Sequence, residues 1–124
     1  MSKKILIVDD ERDVEFLFNQ KFRKELKEGI LEFHFAFSGE QAIDYLHSAS
    51  QTELVLVLSD INMPGMTGIE LLRRIKSEIP APAVFMITAY GDELNYNRAM
   101  ELGADDFINK PVDFASLKEK IMKV

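Results

Sequence analysis

The fold of this chain is decided by the stretch from Leu54 to Gly68, which reads LVLVLSDINMPGMTG. Residues 54–58 are all apolar, as expected of a strand at the centre of a parallel sheet that helices cover on both sides. Asp60 follows just past this predicted strand, at the edge of the sheet where open α/β folds bind ligands. Gly65 and Gly68 then indicate a turn whose backbone can approach a ligand closely.

Apolar runs alternate with helical patterns through the rest of the chain. The first helix is expected to place its apolar residues on one face and to end near Gly29, while Ser38 and Asp113 are predicted helix caps and Gly103 a helix stop. Five strand–helix units in succession predict an α/β fold with a doubly wound, five-stranded parallel sheet of order 2-1-3-4-5. The strands are expected at residues 5–8, 33–37, 54–58, 83–87 and 106–109.

Composition limits the classes of function. The 124 residues are enough for one domain, and the absence of cysteine excludes disulfides, thiolate metal sites and a cysteine nucleophile. Fifteen basic against 21 acidic residues give a net charge of −6, so we expect no direct binding of nucleic acid. Because the sequence has neither a long apolar run nor a signal peptide, we expect a cytoplasmic domain without membrane contact.

Polar side chains follow four of the predicted strands. Asp9 and Asp10 come after the first strand, Asp60 after the third, Thr88 after the fourth and Lys110 after the fifth. In the expected order the first and third strands are neighbours where the winding reverses, so their carboxylates should meet. Such carboxylates repel one another unless a cation balances them, and Mg²⁺ suits oxygen ligands beside a phosphate.

Each of these residues also has a structural explanation. Asp9 or Asp10 could cap the first helix, since acidic residues favour helix N-termini. Thr88 could be an ordinary β-branched residue at a strand end, and Lys110 could be a solvated surface lysine. Because all of these groups are expected at the same edge of the sheet, a shared site is the better interpretation.

Four motifs that carry these residues occur in order along the chain. They are Asp9-Asp10, Asp60 followed by MPGMTG at 63–68, Thr88-Ala89, and GADDFINKP at 103–111. Together they make the chain resemble the receiver domains of two-component response regulators over essentially its whole length. The resemblance implies one receiver domain over residues 1–124 with a flavodoxin-like sheet.

The resemblance also implies a reaction. Asp60 would accept a phosphoryl group from a phosphohistidine on a histidine kinase or phosphotransfer protein and form an acyl phosphate. Asp10 would ligate Mg²⁺ directly, Asp9 would do so directly or through water, and Asp60 with the backbone carbonyl of Asn62 would complete the protein ligands. Lys110 would pair with Asp60 and then with the phosphoryl group.

Signal output is implied in the same way. Thr88 would donate its hydroxyl hydrogen to a phosphoryl oxygen, and Phe107 would turn inward into the space that Thr88 leaves. This would change the face formed by the fourth helix, fifth strand and fifth helix of the family. Phe107 could equally be an ordinary core side chain. The Lys110–Pro111 peptide bond would be cis, as it is in the family.

Two further positions would modulate the lifetime of the acyl phosphate. Asn62 and Tyr90 flank the path of hydrolytic water in the family, although Asn62 could be an Asx-turn residue and Tyr90 a surface aromatic. The domain would be no enzyme in the usual sense, because it would catalyse only its own phosphotransfer and dephosphorylation. It would control an output domain or a downstream protein, as a monomer or a phosphorylation-dependent dimer.

Three rival classes fit the residues less well. A haloacid-dehalogenase-like phosphatase would need a carboxylate where Asn62 stands. A receiver that only binds partners would be expected to lack one of Asp10, Asp60, Thr88 or Lys110. A flavodoxin-type FMN binder would need a loop rich in Ser, Thr and Gly after the first strand, where this chain has DDERD at 9–13.

Overall fold

The computed structural model describes residues 2–48, 54–78, 82–89 and 91–124. The strands are β1 (Lys3–Val8), β2 (Leu31–Ala36), β3 (Leu54–Asp60), β4 (Ala83–Ala89) and β5 (Asp106–Lys110). The helices are α1 (Asp13–Lys21), α2 (Arg23–Lys27), α3 (Gly39–Leu46), α4 (Gly68–Glu78), α5 (Glu93–Glu101) and α6 (Phe114–Met122). Across these residues we find no helix with the length and apolar character needed to cross a membrane.

The five strands form one parallel sheet in the order β2-β1-β3-β4-β5, which confirms the predicted fold class. β1 pairs with β2 on one side and with β3 on the other. The chain therefore winds in one direction from β1 to β2 and in the other from β3 to β5. The carboxyl ends of β1 and β3 border the crevice that such a reversal creates.

Alternate residues of the central strands enter two separate apolar cores, one on each face of the sheet. Ile5 and Ile7 of β1 point to the face covered by α1 and α6, where Phe22 and Leu117 pack. Leu6 and Val8 point to the opposite face, which is covered by α3, α4 and α5. Because both faces are covered, the central strands have no solvated side, and this explains the unbroken apolar run at 54–58.

The sequence predicts a single helix between β1 and β2. This prediction is wrong in one respect, because the structure has two helices there, separated at Phe22. The backbone of Phe22 has φ −108° and ψ 20°, outside the helical region, and separates α1 from α2. Its ring is fully buried and packs edge-on against Phe33 and Phe114. Apolar spacing alone does not reveal this break, because the residues on both sides of it keep helical spacing.

A second difference concerns the residue at the carboxyl end of β3. Asp60 was expected just past the strand, but it is the last residue of β3 and pairs in register with Ile87 of β4. The ladder of backbone hydrogen bonds thus holds the main chain of Asp60 against β4, while the pairing of β3 with β1 ends one residue earlier, at Ser59. Only its side chain is available for chemistry.

The helix caps agree with the sequence. Ser38 accepts a hydrogen bond from the backbone N–H of Gln41 at 3.0 Å, and the Gln41 side chain accepts one from the backbone N–H of Phe37 at 2.9 Å. Asp113 accepts hydrogen bonds from two backbone N–H groups in the first turn of α6. These caps satisfy donors that would otherwise lack partners at the helix starts.

Candidate functional site

The carboxyl ends of four neighbouring strands bring the predicted polar residues to one edge of the sheet. Asp9 directly follows β1, and Asp60 ends β3 next to it. Thr88 of β4 lies in register with Asn109 of β5, and Ala89 lies in register with Lys110. The sequence argument from strand ends therefore predicts the correct neighbourhood, because parallel strands end on a common side.

Three carboxylates meet at the point where the winding reverses. Asp9, Asp10 and Asp60 each place a carboxylate oxygen within 4.8 Å of the others. Asp9 and Asp60 are buried, at 7% and 4% exposure, while Asp10 is exposed. The cluster thus has a buried floor and one side open to solvent, and all its ligand atoms are hard oxygens of the kind that Mg²⁺ prefers.

The surroundings of Asp9 disfavour the ionised form of its carboxyl group. The pKa of Asp9 is raised from its usual 3.8 to about 6, mainly by burial and in part by the negative charge of Asp60. A hydrogen bond that the backbone N–H of Glu11 donates to Asp9 opposes this rise. Two buried carboxylates at this distance lack sufficient balancing charge, and a bound cation would supply it.

Lys110 provides positive charge on the other side of Asp60. Its ammonium group donates a hydrogen bond to Oδ2 of Asp60 at 3.2 Å. Burial lowers the pKa of Lys110, but the charge of Asp60, the hydrogen bond between them and the charge of Asp9 raise it above its ordinary value. Lys110 is therefore a firmly charged partner for an anion at Asp60. The Lys110–Pro111 peptide bond is cis.

Thr88 lies beside a cavity next to this site, and Phe107 packs on one of the residues that line it. Thr88 is buried, and its hydroxyl lies 3.4 Å from the carbonyl oxygen of Ala89, the limit of a hydrogen bond. A cavity of about 300 Å³ is lined in part by Thr88, Tyr96 and Asn109. Phe107 is half-buried and packs against Tyr96, with ring centroids 4.5 Å apart. The threonine hydroxyl is thus weakly held and next to free space.

The loop after Asp60 is tightly packed against its own strand. At Gly68 a β-carbon would lie 2.1 Å from the carbonyl oxygen of Asp60 and 2.6 Å from the α-carbon of Ile61. The close approach expected at Gly68 is therefore made by the backbone of this chain and not by a ligand. Asn62 lies exposed in the loop, whereas Tyr90, the other residue assigned to lifetime, falls outside the described residues.

Two residues near the site were not found by sequence reasoning. Glu40 of α3 accepts a hydrogen bond from the backbone N–H of Met66 at 3.2 Å and so ties α3 to the loop after Asp60. Tyr96 of α5 packs on Phe107. Neither contact leaves a local signal in the sequence, since Glu40 reads as an ordinary acidic residue in a first helical turn and Tyr96 as a surface aromatic.

Comparison with known proteins agrees with this geometry. The family described as Response regulator receiver domain matches residues 5–122. Sporulation initiation phosphotransferase F of Bacillus subtilis (strain 168) is 37% identical over 123 residues, which cover 99% of this chain and 94% of that protein. A cyclic di-GMP phosphodiesterase of Thermotoga maritima is 40% identical over 86 residues, which cover 69% of this chain and 22% of that protein.

Solved structures lead to the same family. The crystal structure of a response regulator receiver domain protein from Clostridium thermocellum matches with a TM-score of 0.85 and 28% identity, over 98% of this chain and 92% of that one. Receiver domains bind Mg²⁺ at an acidic pocket, and this chain gathers three carboxylates at the corresponding edge of its sheet. The chain therefore belongs to the response regulator receiver domain family, the phosphorylation-activated switches of two-component signalling.

Proposed function

We propose that Asp60 is the phosphoacceptor of this receiver domain. The observation that carries the proposal is the position of its carboxylate, which is 4% exposed, 3.2 Å from the ammonium group of Lys110 and within 4.8 Å of two other carboxylates. A carboxylate held in this way is a competent nucleophile toward phosphorus, since phosphoryl transfer depends mostly on positioning and charge neutralisation.

The reaction proposed for Asp60 is an in-line displacement. One carboxylate oxygen forms a bond to the phosphorus of a phosphohistidine, and the bond from phosphorus to the histidine nitrogen breaks with its electron pair remaining on the imidazole. The product is an acyl phosphate on Asp60. Water later attacks the same phosphorus and restores the carboxylate with release of phosphate, so the domain catalyses only its own phosphotransfer and dephosphorylation.

The acidic cluster is proposed to hold Mg²⁺. Asp9, Asp10 and Asp60 would supply carboxylate oxygens, and the backbone carbonyl of Asn62 would supply a fourth ligand. The raised pKa of Asp9 supports this assignment, because burial of its carboxylate and, to a lesser degree, the negative charge of Asp60 both disfavour its ionised form, and a bound cation would offset both effects. When bound, the ion supplies positive charge to the oxygens of the entering phosphoryl group.

Lys110 and Thr88 are proposed to bind the phosphoryl group once it is attached. Lys110 already contacts Asp60, so a small movement of its flexible side chain would bring its ammonium group to a phosphoryl oxygen. Thr88 would give up its long contact with Ala89 and donate its hydroxyl hydrogen to another phosphoryl oxygen. Asn62 and Tyr90 are proposed to set how readily water reaches the phosphorus.

The same movement of Thr88 is proposed to transmit the signal. The cavity beside Thr88 is lined by Tyr96, whose ring packs on Phe107, and the half-buried position of Phe107 supports two alternative placements of its ring. The face that would change is formed by α5, β5 and α6, which correspond to the fourth helix, fifth strand and fifth helix of the family.

The partners follow from the family. We propose a histidine kinase or a phosphotransfer protein as phosphodonor, in the cytoplasm, and an output domain or a downstream protein as receiver of the signal. The match to 22% of a longer phosphodiesterase supports a linked output domain. The net charge of −6 argues against nucleic acid as a direct partner, and the domain would act as a monomer or a phosphorylation-dependent dimer.

The test is intact mass after incubation with Mg²⁺ and acetyl phosphate, for the parent, Asp60→Asn and Asp113→Asn. Asp113→Asn is the matched control, because it makes the same chemical change at an exposed helix cap where asparagine also caps. We expect one added phosphoryl group on the parent and the control and none on Asp60→Asn. Addition to Asp60→Asn would refute the assignment.

The metal ligands can be tested in the same experiment. Asp10→Asn should raise the concentration of Mg²⁺ needed for half-maximal phosphorylation by at least tenfold, because it removes an exposed carboxylate ligand without disturbing the core. An unchanged Mg²⁺ requirement would contradict the role of Asp10. Failure of the parent to accept phosphate from both acetyl phosphate and a phosphorylated histidine kinase domain would refute the proposed function as a whole.

A further inference from the structure

A groove between α4 and α5 has features that the phosphoacceptor chemistry does not use. It has a volume of about 440 Å³. Its floor includes Ile61 and Ile69, and Leu94 stands at its rim with 78% of its surface exposed. The rest of the lining is polar or charged, so Leu94 gives the groove an exposed apolar contact within a polar surround, the arrangement found in many protein interfaces.

Two arginines flank the same groove. Arg73 and Arg98 line it from opposite helices, and each lies in the second turn of its helix. α4 and α5 both follow parallel strands and run in the same direction, so each helix contributes one arginine to the groove that they border. The groove thus combines a small apolar floor with a cationic side chain from each helix.

Neither arginine is neutralised within the part of the chain that the structure describes. Arg74, next to Arg73, pairs with Glu78, but Arg73 and Arg98 form no ion pair among these residues. One carboxylate, that of Glu70, also lines the groove, and the hydroxyl of Thr67 lies 3.5 Å from it. The groove therefore has a local excess of positive charge on a protein whose net charge is −6.

We propose that this groove, called here the α4–α5 groove, binds an acidic amphipathic segment of a partner protein. An apolar side chain of the segment would pack on Leu94, Ile61 and Ile69, and carboxylates on either side of it would pair with Arg73 and Arg98. Arginine suits this role because its planar guanidinium group can bind a carboxylate through two parallel hydrogen bonds. Apolar anchors ringed by polar contacts are the usual architecture of such sites.

The proposal is tested with a random library of 16-residue peptides displayed on phage and selected on the unphosphorylated protein. The enriched sequences should combine Leu, Ile, Phe or Met with Asp or Glu. Synthetic peptides of these sequences should shift the amide NMR signals of residues 61–73 and 94–98, and their affinity should fall as salt is raised, because exposed ion pairs are screened.

Variants identify the contact residues. Arg73→Glu combined with Arg98→Glu should weaken peptide binding at least tenfold, and Leu94→Ser alone should also weaken it. All three side chains are exposed, so the fold is expected to remain, and circular dichroism would verify it. Arg23→Glu is the matched control, since Arg23 is also exposed and without an ion pair among the described residues but lies on α2, outside the groove.

Several results would overturn the proposal. These are a selection that enriches no acidic apolar sequence, peptides that shift signals elsewhere, and peptides that bind the double arginine variant as tightly as the parent. Binding is measured without phosphate, so these results leave the role of Asp60 untouched. Failure of the Asp60 experiment would likewise leave the α4–α5 groove proposal standing.

Discussion

Replacement of Gly68 by alanine should disturb the carboxyl end of β3, where Asp60 lies, more than the same change disturbs the start of α3 at Gly39. The added β-carbon would lie 2.1 Å from the carbonyl oxygen of Asp60, 2.6 Å from the α-carbon of Ile61 and 2.9 Å from the carbonyl carbon of Asp60. All three are backbone atoms of the central strand and its continuation. They cannot move aside by rotating about a side-chain bond, so the start of α4 and the end of β3 have to separate.

The expected cost has two parts. Overpacking a well-filled core costs about 1–3 kcal/mol, and the rigidity of the neighbours places Gly68 at the upper end of that range. Separation also weakens the hydrogen bond that the backbone N–H of Gly68 donates to the carbonyl of Ile61 at 2.8 Å, at a cost of about 1 kcal/mol. We expect Gly68→Ala to lower the free energy of unfolding by about 4 kcal/mol.

Gly39 provides a matched control. It is also a buried glycine at the first position of a helix, so any gain in helix propensity from alanine should be similar at both sites. The three atoms nearest to a β-carbon at Gly39 would be the β-carbon, γ-carbon and sulfur of Met66, at 2.8–2.9 Å. The γ-carbon and sulfur can rotate away, and the β-carbon lies in a loop and not in the sheet, so we expect Gly39→Ala to cost about 1 kcal/mol.

The assay is urea denaturation of the parent, Gly68→Ala and Gly39→Ala, followed by circular dichroism. The difference between the two variants should be about 3 kcal/mol, with unchanged dependence of the free energy on urea concentration. Because the clash falls on Asp60, Gly68→Ala should also slow phosphorylation by acetyl phosphate relative to Gly39→Ala. Stabilities within 1 kcal/mol of each other would refute the argument from backbone contact.

Two further predictions concern the core and the pH dependence of stability. Phe22→Ala should cost about 3–5 kcal/mol in urea denaturation because its ring is fully buried, whereas Phe16→Ala should cost almost nothing because Phe16 is 72% exposed; similar losses would contradict this account of the core. Lys118 donates a hydrogen bond that lowers the pKa of Glu25, so their pair stabilises the fold above the usual pKa of glutamate and loses this effect as the pH falls through the lowered value. Glu25→Gln should therefore be less stable than the parent by up to about 1 kcal/mol near pH 7, and this difference should shrink as the pH falls through the lowered pKa of Glu25; a difference independent of pH would contradict the assignment.

Much of the fold follows from local patterns in the sequence. The apolar run at 54–58 predicts a central strand because only a position covered on both faces excludes every polar side chain. The succession of strand and helix patterns predicts the parallel sheet, since crossovers of one hand allow few alternatives. The caps at Ser38 and Asp113 follow from the hydrogen-bonding capacity of their side chains.

The neighbourhood of the site also follows from the sequence, but its electrostatics do not. Parallel strands end on one side of the sheet, so the sequence predicts that Asp9, Asp60 and Lys110 lie together. Asp9 is buried whereas Asp10 is exposed, and this depends on how the loop after β1 packs. The burial of Asp9 raises its pKa. Because Asp9 and Asp10 are adjacent and chemically identical, the sequence does not indicate which of the two is buried.

Tertiary structure alone decided the features that depend on how one element packs against another. The approach of Gly68 to the backbone of Asp60, the interruption at Phe22 and the placement of Arg73 opposite Arg98 all depend on how helices pack on the finished sheet. Periodicity specifies which face of an element is buried, because it reflects the geometry of a single helix or strand. It does not specify the distance between two elements, which is set by the shapes of all the side chains packed between them.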